Sequence, residues 1–201
     1  MAKFFGNLHL VLVTGLVLTI VVMMAFVGWT GEGAGPVTND VLHWLHLFFG
    51  VLWIGLLYYL NFVQVPTMPK ILAELKPAIT GHIAPNVLFY FRWGAALTVL
   101  TGALIAFMPQ NGEPGFGHKA LLFRGEGADG INLIGLGMWL ALIMAFNVWF
   151  IIWPAQKKIL GIVEATAEEK AAAAPRALYA SRTNVLLSLP MLYCMVSANL
   201  G

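Results

Sequence analysis

Long apolar runs separated by short polar stretches dominate this chain of 201 residues. A helix that crosses ~30 Å of hydrocarbon needs about 20 mostly apolar residues, and five runs meet or approach that length. They lie approximately at residues 8–28, 41–63, 87–108, 131–153 and 185–200. The pattern predicts an all-α fold, a polytopic membrane helix bundle of about five transmembrane helices in a single integral membrane domain, residues 1–201. The last span is the shortest and contains Pro190, where we expect a kink.

The composition agrees with a lipid environment and excludes several other classes of protein. Hydrophobic residues make up 60% of the chain, charged residues 10%, and the mean hydropathy is +0.82, whereas soluble proteins carry about 25% charged residues. A net charge of +2 provides no clustered basic face for nucleic acid. The single cysteine, Cys194, excludes an intramolecular disulfide and a thiolate zinc site within the chain.

The distribution of lysine and arginine predicts an orientation. All the basic residues except Lys119 and Arg124 lie in three regions. These are the N-terminal stub, the loop around residues 64–86 with Arg92 just beyond it, and the loop around residues 155–184. Positively charged loops stay on the cytoplasmic side. We therefore expect a multi-pass protein of the bacterial inner membrane, with a cytoplasmic N-terminus and a periplasmic C-terminus at Asn199–Gly201. Interfacial tryptophans are expected at the span ends, among them Trp29, Trp93, Trp149 and Trp153.

Polar side chains inside the predicted spans are the candidates for function, because burying them in lipid is unfavourable. No Asp, Glu, Lys or Arg lies deep in a span, which argues against a proton pump or an ion-coupled transporter. His43 and His46 are three residues apart, so they share one helix face near its periplasmic end. The other candidates are Asn61, Gln64, Asn147 and Asn184.

The two histidines allow two interpretations. Neutral imidazole is a common ligand of haem iron, so His46 and His43 are candidate ligands of a haem b. Alternatively, they are interfacial histidines wetted by the outer loop. A membrane haem b normally takes its second ligand from a different helix, and no other predicted span contains a histidine. The candidates for that ligand are His118, Met195 or a residue of another subunit.

Four blocks of the sequence resemble the membrane domain of bacterial cytochrome c-type urate oxidases, the urate oxidase N-terminal domain family. The blocks are His43–His46 with Gly50 and Trp53–Gly55, Phe91–Trp93 with Leu100–Gly102, Ile143–Phe150 with Pro154–Lys158, and Arg182–Ser197. The resemblance implies that His46 is the best candidate for a haem or redox-metal ligand. It also implies that Asn147, Pro154, Gln156 and Lys158 shape a helix end and its cytoplasmic turn.

The chain departs from the family at positions that bear on function. According to the resemblance, the family has histidines at three positions where this chain has Gly135, Thr183 and Asn199. If those histidines bind haem in the family, this chain has lost most of the site. The sequence also contains no Cys-x-x-Cys-His for a cytochrome c haem. We therefore expect a short stand-alone member that lacks the cytochrome c domain.

Three functions follow as hypotheses. The first is an accessory, non-catalytic subunit of a larger respiratory or photosynthetic electron-transfer complex, or a homo-oligomer, surrounded by the lipid bilayer. The second is a small haem b electron carrier between a quinone or substrate and a periplasmic cytochrome c, with His46, His43 and Met195 as its site. The third is a channel or carrier for a small solute. In each case Asn147, Asn184, Gln156 and Arg92 are expected to be structural polar residues, and we do not expect the chain to be catalytic on its own.

Overall fold

The computed structural model describes residues 2–26, 35–109, 113–125 and 130–198. Within these ranges every regular element is helical and no strand occurs, as the apolar pattern predicts. Trp29 and Asn199–Gly201 lie outside the described residues, so their predicted positions stay predictions. The all-helical part of the predicted fold is confirmed for the described chain.

Seven helices organise the described residues. They are α1 (Leu8–Phe26), α2 (Gly35–Tyr58), α3 (Ala84–Phe107), α4 (Gly117–Leu121), α5 (Ile131–Phe146), α6 (Trp153–Ile159) and α7 (Ala167–Ser197). Three π-helical segments adjoin them, at Tyr59–Gln64, Ile79–Ile83 and Asn147–Ile152. Short helical turns lie at Ala2–Phe5, Val65–Thr67, Met68–Lys70, Ala73–Leu75 and Lys76–Ala78.

Three of the described helical stretches are long and apolar enough to cross a membrane. They run from Thr38 to Lys70, from Ala73 to Phe107 and from Ile131 to Ile159, and a shorter apolar helix covers Leu8–Val22. These stretches coincide with three of the five predicted spans and identify the chain as a membrane protein. Of the short span predicted at residues 185–200, residues 185–197 lie in the second half of a single 31-residue helix, α7.

The chain divides into two compact units, Met1–Val41 and Leu42–Gly201. In the first unit, α1 is apolar except for His9 and two hydroxyl side chains. Thr14 Oγ1 donates to the carbonyl of Leu10 at 2.8 Å, and Thr19 Oγ1 donates to the carbonyl of Gly15 at 3.0 Å. Each hydroxyl is thus satisfied within its own helix, as an apolar surrounding requires.

In the second unit, the part of α2 from residue 42 onward forms an antiparallel four-helix bundle with α3, the α5–α6 stretch and α7. Trp53 of α2 packs against Gly94 of α3, where a Cβ would lie 3.4 Å from the Trp53 backbone. Gly137 of α5 similarly faces Cys194 of α7. Small residues at helix contacts allow backbones to approach closely, which is the main source of packing energy in lipid.

A fully buried core fills the centre of this bundle. Its largest side chains are Trp53, Phe91, Leu57, Met144 and Val148. Outward-facing side chains are also large and apolar, for example Phe146 and Phe150 at 55% and 63% exposure. A surface of this kind is stable in hydrocarbon and unstable in water.

Each π-helical segment ends two residues before a proline. The segments end at Gln64, Ile83 and Ile152, and the prolines are Pro66, Pro85 and Pro154. A proline within a helix has no N–H to donate and its ring clashes with the carbonyl four residues earlier. A wider turn before the proline moves that carbonyl aside, so the proline positions account for the places where the long helices change winding.

Helix α7 continues through two prolines. The alternation of charge and alanine from Lys157 to Ala174 predicts a helix that stops at Pro175, but α6 ends at Ile159 and α7 runs unbroken from Ala167 past Pro175 and Pro190. The prediction of a stop is wrong because Pro175 falls where flanking alanines and the buried Ala173 and Ala177 keep the helix packed. Packing energy outweighs the loss of one backbone hydrogen bond.

Candidate functional site

His46 of α2 is held against α3 by two hydrogen-bond partners. Its Nδ1 lies 2.9 Å from the carbonyl oxygen of Thr98 and 3.2 Å from Oγ1 of Thr101. Because a carbonyl oxygen can only accept, the close Thr98 contact assigns the ring proton to Nδ1. The lone pair of the neutral imidazole then resides on Nε2, the nitrogen that would bind a metal.

Gly102 provides the space that the His46 ring occupies. A Cβ at this position would lie 2.8 Å from Cε1 and 3.2 Å from Nδ1 of His46, closer than van der Waals contact permits. The two threonines that bond the ring also bond their own helix, since Thr98 Oγ1 donates to Gly94 O and Thr101 Oγ1 to Leu97 O, both at 2.7 Å. The His46 pocket is therefore built entirely from one face of α3.

The other predicted haem ligands occupy different places in the structure. His43 is exposed, one turn before His46. Met195 lies on α7, with its Sδ 3.6 Å from the position of a Cβ on Gly137 of α5. His118 is exposed on α4, where its ring packs edge-on against Phe107 with centroids 5.1 Å apart. In the described part of the chain no group of three or more His, Cys, Asp or Glu side chains could hold a metal ion.

The predicted asparagines meet in the core instead. Asn147 Nδ2 donates to Asn184 Oδ1 at 2.9 Å, and Asn184 Nδ2 donates to the carbonyl of Met144 at 2.9 Å. Asn147 opens a π-helical segment, where the regular backbone ladder is interrupted. The side chain of Asn184 thus satisfies a main-chain carbonyl at the point where α5 changes winding, as a lipid-embedded helix requires.

Two further polar residues of α7 extend this connection to α2. Ser181 Oγ accepts from Nδ2 of Asn61 at 2.7 Å, and Ser188 Oγ lies 2.9 Å from the hydroxyl of Tyr58. Ser181, Asn184 and Ser188 are spaced three and four residues apart and lie on one face of α7. We call these three residues the α7 polar stripe. It joins α7 to α2 on one side and to α5 on the other.

Arg92 and Gln156, the remaining predicted polar residues, lie in the first half of α3 and on α6. The Arg92 guanidinium stacks over two indole rings, with its Cζ 3.5 Å from the Trp153 centroid and 5.7 Å from the Trp149 centroid. Its Nε is buried without a hydrogen-bond partner. The main-chain carbonyl of Gln156 accepts from Leu160 N at 2.9 Å at the end of α6, and the predicted role of the Gln156 side chain stays a prediction.

Gly135 marks the tightest contact between α4 and α5. A Cβ on Gly135 would collide with the carbonyl oxygen of Ala120 in α4. Trp139, one turn later, donates from Nε1 to the carbonyl of Leu121 at 3.0 Å. Helix α4 therefore packs directly on α5 at Gly135. According to the sequence resemblance, the family has a histidine at this position.

Comparison with protein families found a match over the part of the chain that contains α5, α6 and α7. A family model described as urate oxidase N-terminal matches residues 121–201. Residues 121–201 are therefore similar to the urate oxidase N-terminal family. The resemblance stated from sequence is confirmed for this segment, which contains Asn147, Gln156 and Asn184. No curated protein and no solved structure matches the chain.

The urate oxidase N-terminal segment contributes the α7 polar stripe and its partners on α5, whereas His46 and Arg92 lie before it. The sequence interpretation missed Ser181 and Ser188. Their signal was available, because small polar residues recurring at helical spacing in an apolar helix indicate a helix contact. The same spacing of Gly94, Thr98 and Gly102 predicts a helix contact on α3, but only the packing of α2 on α3 shows that Thr98 and Thr101 face a histidine.

Proposed function

We propose that this chain is a non-catalytic, accessory membrane subunit that packs against other membrane proteins or against itself. The observation that carries the proposal is the seating of α4 on Gly135. A histidine at that position would displace α4, so the chain has close helix packing where the family resemblance implies a redox ligand. The family match at residues 121–201 supports a membrane role without supplying a catalytic residue set.

The use of the polar side chains supports the same proposal. Hydrogen bonds to other parts of the bundle engage Asn147, Asn184 and the two serines of the α7 polar stripe. These amide and hydroxyl groups therefore serve helix contacts. The outer surface carries many large apolar residues that other helices or lipid could cover. We further propose that the chain crosses the bacterial inner membrane five times, with a cytoplasmic N-terminus, as the distribution of basic residues suggests.

Purification in a mild detergent tests the proposal. A tagged chain should retain a second membrane protein or a second copy of itself after size-exclusion chromatography, and chemical crosslinking in membranes before lysis should give the same pair. A stable monomer, with no crosslinked species, would contradict the proposal. Fusions of alkaline phosphatase to each loop test the orientation, because the enzyme is active only on the periplasmic side.

The His46 geometry favours a second candidate function, a haem b electron carrier. Ligating histidines usually donate their other ring N–H to a carbonyl, which fixes the tautomer and raises the basicity of the ligating nitrogen, and His46 makes that bond to Thr98. His46 Nε2 would hold the iron, and the haem would supply one-electron transfer between a quinone or substrate and a periplasmic cytochrome c. The second ligand would be Met195, His118 or a residue of a partner subunit.

A visible spectrum of the purified protein separates the two candidates. A haem b carrier should show a reduced-minus-oxidised α band that is lost in His46→Ala and kept in His82→Ala, a matched change at an exposed histidine. The accessory-subunit proposal expects a colourless protein. A haem band that disappears in His46→Ala would contradict the accessory-subunit proposal and support the carrier function.

A further inference from the structure

A shallow apolar groove of about 370 Å³ lies on the outer surface between α3 and the stretch from α5 into the π-helical segment that follows it. Ala96, Val99 and Ala145 contribute small or short side chains, and the largely exposed Phe146 and Phe150 also line the groove. The volume and the lining are suited to a flexible hydrocarbon chain. We call this feature the Trp149 groove, because Trp149 lines it and also faces Arg92.

Two cations lie at the ring of Trp153, one helical turn beyond Trp149 of the groove. Arg92 is one turn before Ala96 on α3, and its guanidinium is stacked on Trp153 at 3.5 Å. Lys157 Nζ lies 5.8 Å from the centroid of the same indole. Cation–π stacking holds a guanidinium by its face and leaves its in-plane N–H groups directed elsewhere. The paired cations therefore offer hydrogen-bond donors beside an apolar groove.

Neither cation is neutralised within the described residues. The one ion pair that they contain joins Lys158 to Glu169, and Arg92 Nε is buried without any acceptor. A buried donor on a charged side chain without a partner is unfavourable by more than an ordinary lost hydrogen bond. Because no carboxylate of the described residues pairs with Arg92 or Lys157, an anionic group from outside the chain can neutralise them, beside an apolar surface suited to an acyl chain.

We propose that the Trp149 groove binds an anionic phospholipid, with its phosphate held by Arg92 and Lys157 and one acyl chain lying along Ala96 and Val99. Arginine matches phosphate geometry with paired N–H donors. Basic pockets between membrane helices are a recurrent way of binding acidic headgroups. The aromatic rings of Trp149 and Trp153 separate the headgroup from the acyl chain, as interfacial tryptophans commonly do.

Native mass spectrometry of the full chain, released from detergent with added lipid, tests this proposal. Phosphatidylglycerol should be retained in preference to phosphatidylcholine, and Arg92→Gln should lower that preference by about ten- to a hundredfold, the equivalent of one lost charge-assisted hydrogen bond. Arg182→Gln, which removes an exposed arginine of α7, is the matched control and should keep the preference. Inorganic phosphate should not displace the lipid.

A second variant tests the groove separately from the charge. Ala96→Phe places a ring where the acyl chain would lie and should lower retention of phosphatidylglycerol while Arg92 is intact. Equal retention of both lipids by the wild type, an unchanged preference in Arg92→Gln, or displacement by inorganic phosphate would overturn the proposal. A dimer that Ala96→Phe dissociates would also overturn it, since a second copy would then occupy the groove.

Discussion

The side-chain amide of Asn147 donates a hydrogen bond to the side-chain oxygen of Asn184 at 2.9 Å, and both residues are buried. Asn184 completes the connection by donating to the carbonyl of Met144. A single residue of α7 therefore satisfies a side chain and a main-chain group of the neighbouring helix. In a bundle without a hydrophobic driving force between helices, such bonds contribute to the choice of helix partner.

Replacing Asn184 with alanine should destabilise the protein by about 1–3 kcal/mol, because Asn147 Nδ2 would lose its acceptor in the core, and Met144 O would keep only its bond from the Asn147 backbone. The free energy of unfolding, measured by titration with a denaturing detergent, checks this expectation. Asn86→Ala removes an exposed asparagine that bonds only the carbonyl of His82 and should change stability by less than about 0.5 kcal/mol. Equal losses in the two variants would contradict the structural role of the pair.

The close contact at Gly135 gives a second prediction. Gly135→Ala should destabilise the protein by about 1–3 kcal/mol, since its Cβ would force α4 away from α5. Gly55→Ala is the matched control, because a Cβ there meets nothing within 4 Å and alanine favours helix by about 0.5–1 kcal/mol over glycine. Thermal unfolding of both variants measures the difference. A Gly135→Ala protein as stable as the wild type would show that α4 does not pack on α5.

The His46 pocket gives a third prediction. Gly102→Ala should push the imidazole away from Thr98 and lengthen its hydrogen bond, whereas Gly50→Ala, with a Cβ 3.9 Å from Thr98 Cγ2, should leave the ring in place. The nitrogen-15 chemical shifts of the His46 ring report the tautomer in each variant. We expect the Nδ1-protonated tautomer to be retained in Gly50→Ala and lost in Gly102→Ala. Identical ring shifts in the two variants would contradict the pocket.

The start of α7 should depend on pH. Glu169 Oε1 accepts from Lys158 Nζ at 2.8 Å, and Oε2 accepts from the backbone N–H of Thr166 at 3.1 Å. The hydrogen bond from Lys158, with that from Thr166, lowers the pKa of the Glu169 carboxyl. Its stabilising contribution is therefore complete above the ordinary pKa of glutamate and is lost as the pH falls through the lowered folded-state pKa.

Amide hydrogen exchange over residues 167–170 measures that loss. Because the intrinsic exchange rate itself changes with pH, exchange is compared as protection relative to an unstructured chain at the same pH. Protection in the wild type should fall under acid conditions, while Glu169→Gln should already be less protected at neutral pH and depend less on pH. Glu164→Gln, an exposed change before the helix, should follow the wild type. If Glu169→Gln and the wild type exchange alike at neutral pH, the capping box and ion pair do not hold this end of the helix.

Much of the fold was predictable from the sequence, because apolar runs of membrane-crossing length leave helix as the available local structure. Three predicted spans coincide with long apolar helices, and the importance of Asn147 and Asn184 followed from the rarity of polar groups in such runs. The proline positions also indicate where the helices change winding, which the prediction did not use. Each of Pro66, Pro85 and Pro154 follows a π-helical segment by two residues, whereas α7 continues through Pro175.

The sequence by itself determined that this chain is helical, apolar over most of its length and related over residues 121–201 to the urate oxidase N-terminal family. Only the tertiary structure decided what its few polar side chains do. The helix that lies opposite decides whether the Asn184 side chain binds a cofactor or joins two helices. It also decides whether Gly135 leaves room for a side chain. Helix periodicity fixes the face of a residue, but the neighbour on that face comes from packing between segments distant in sequence.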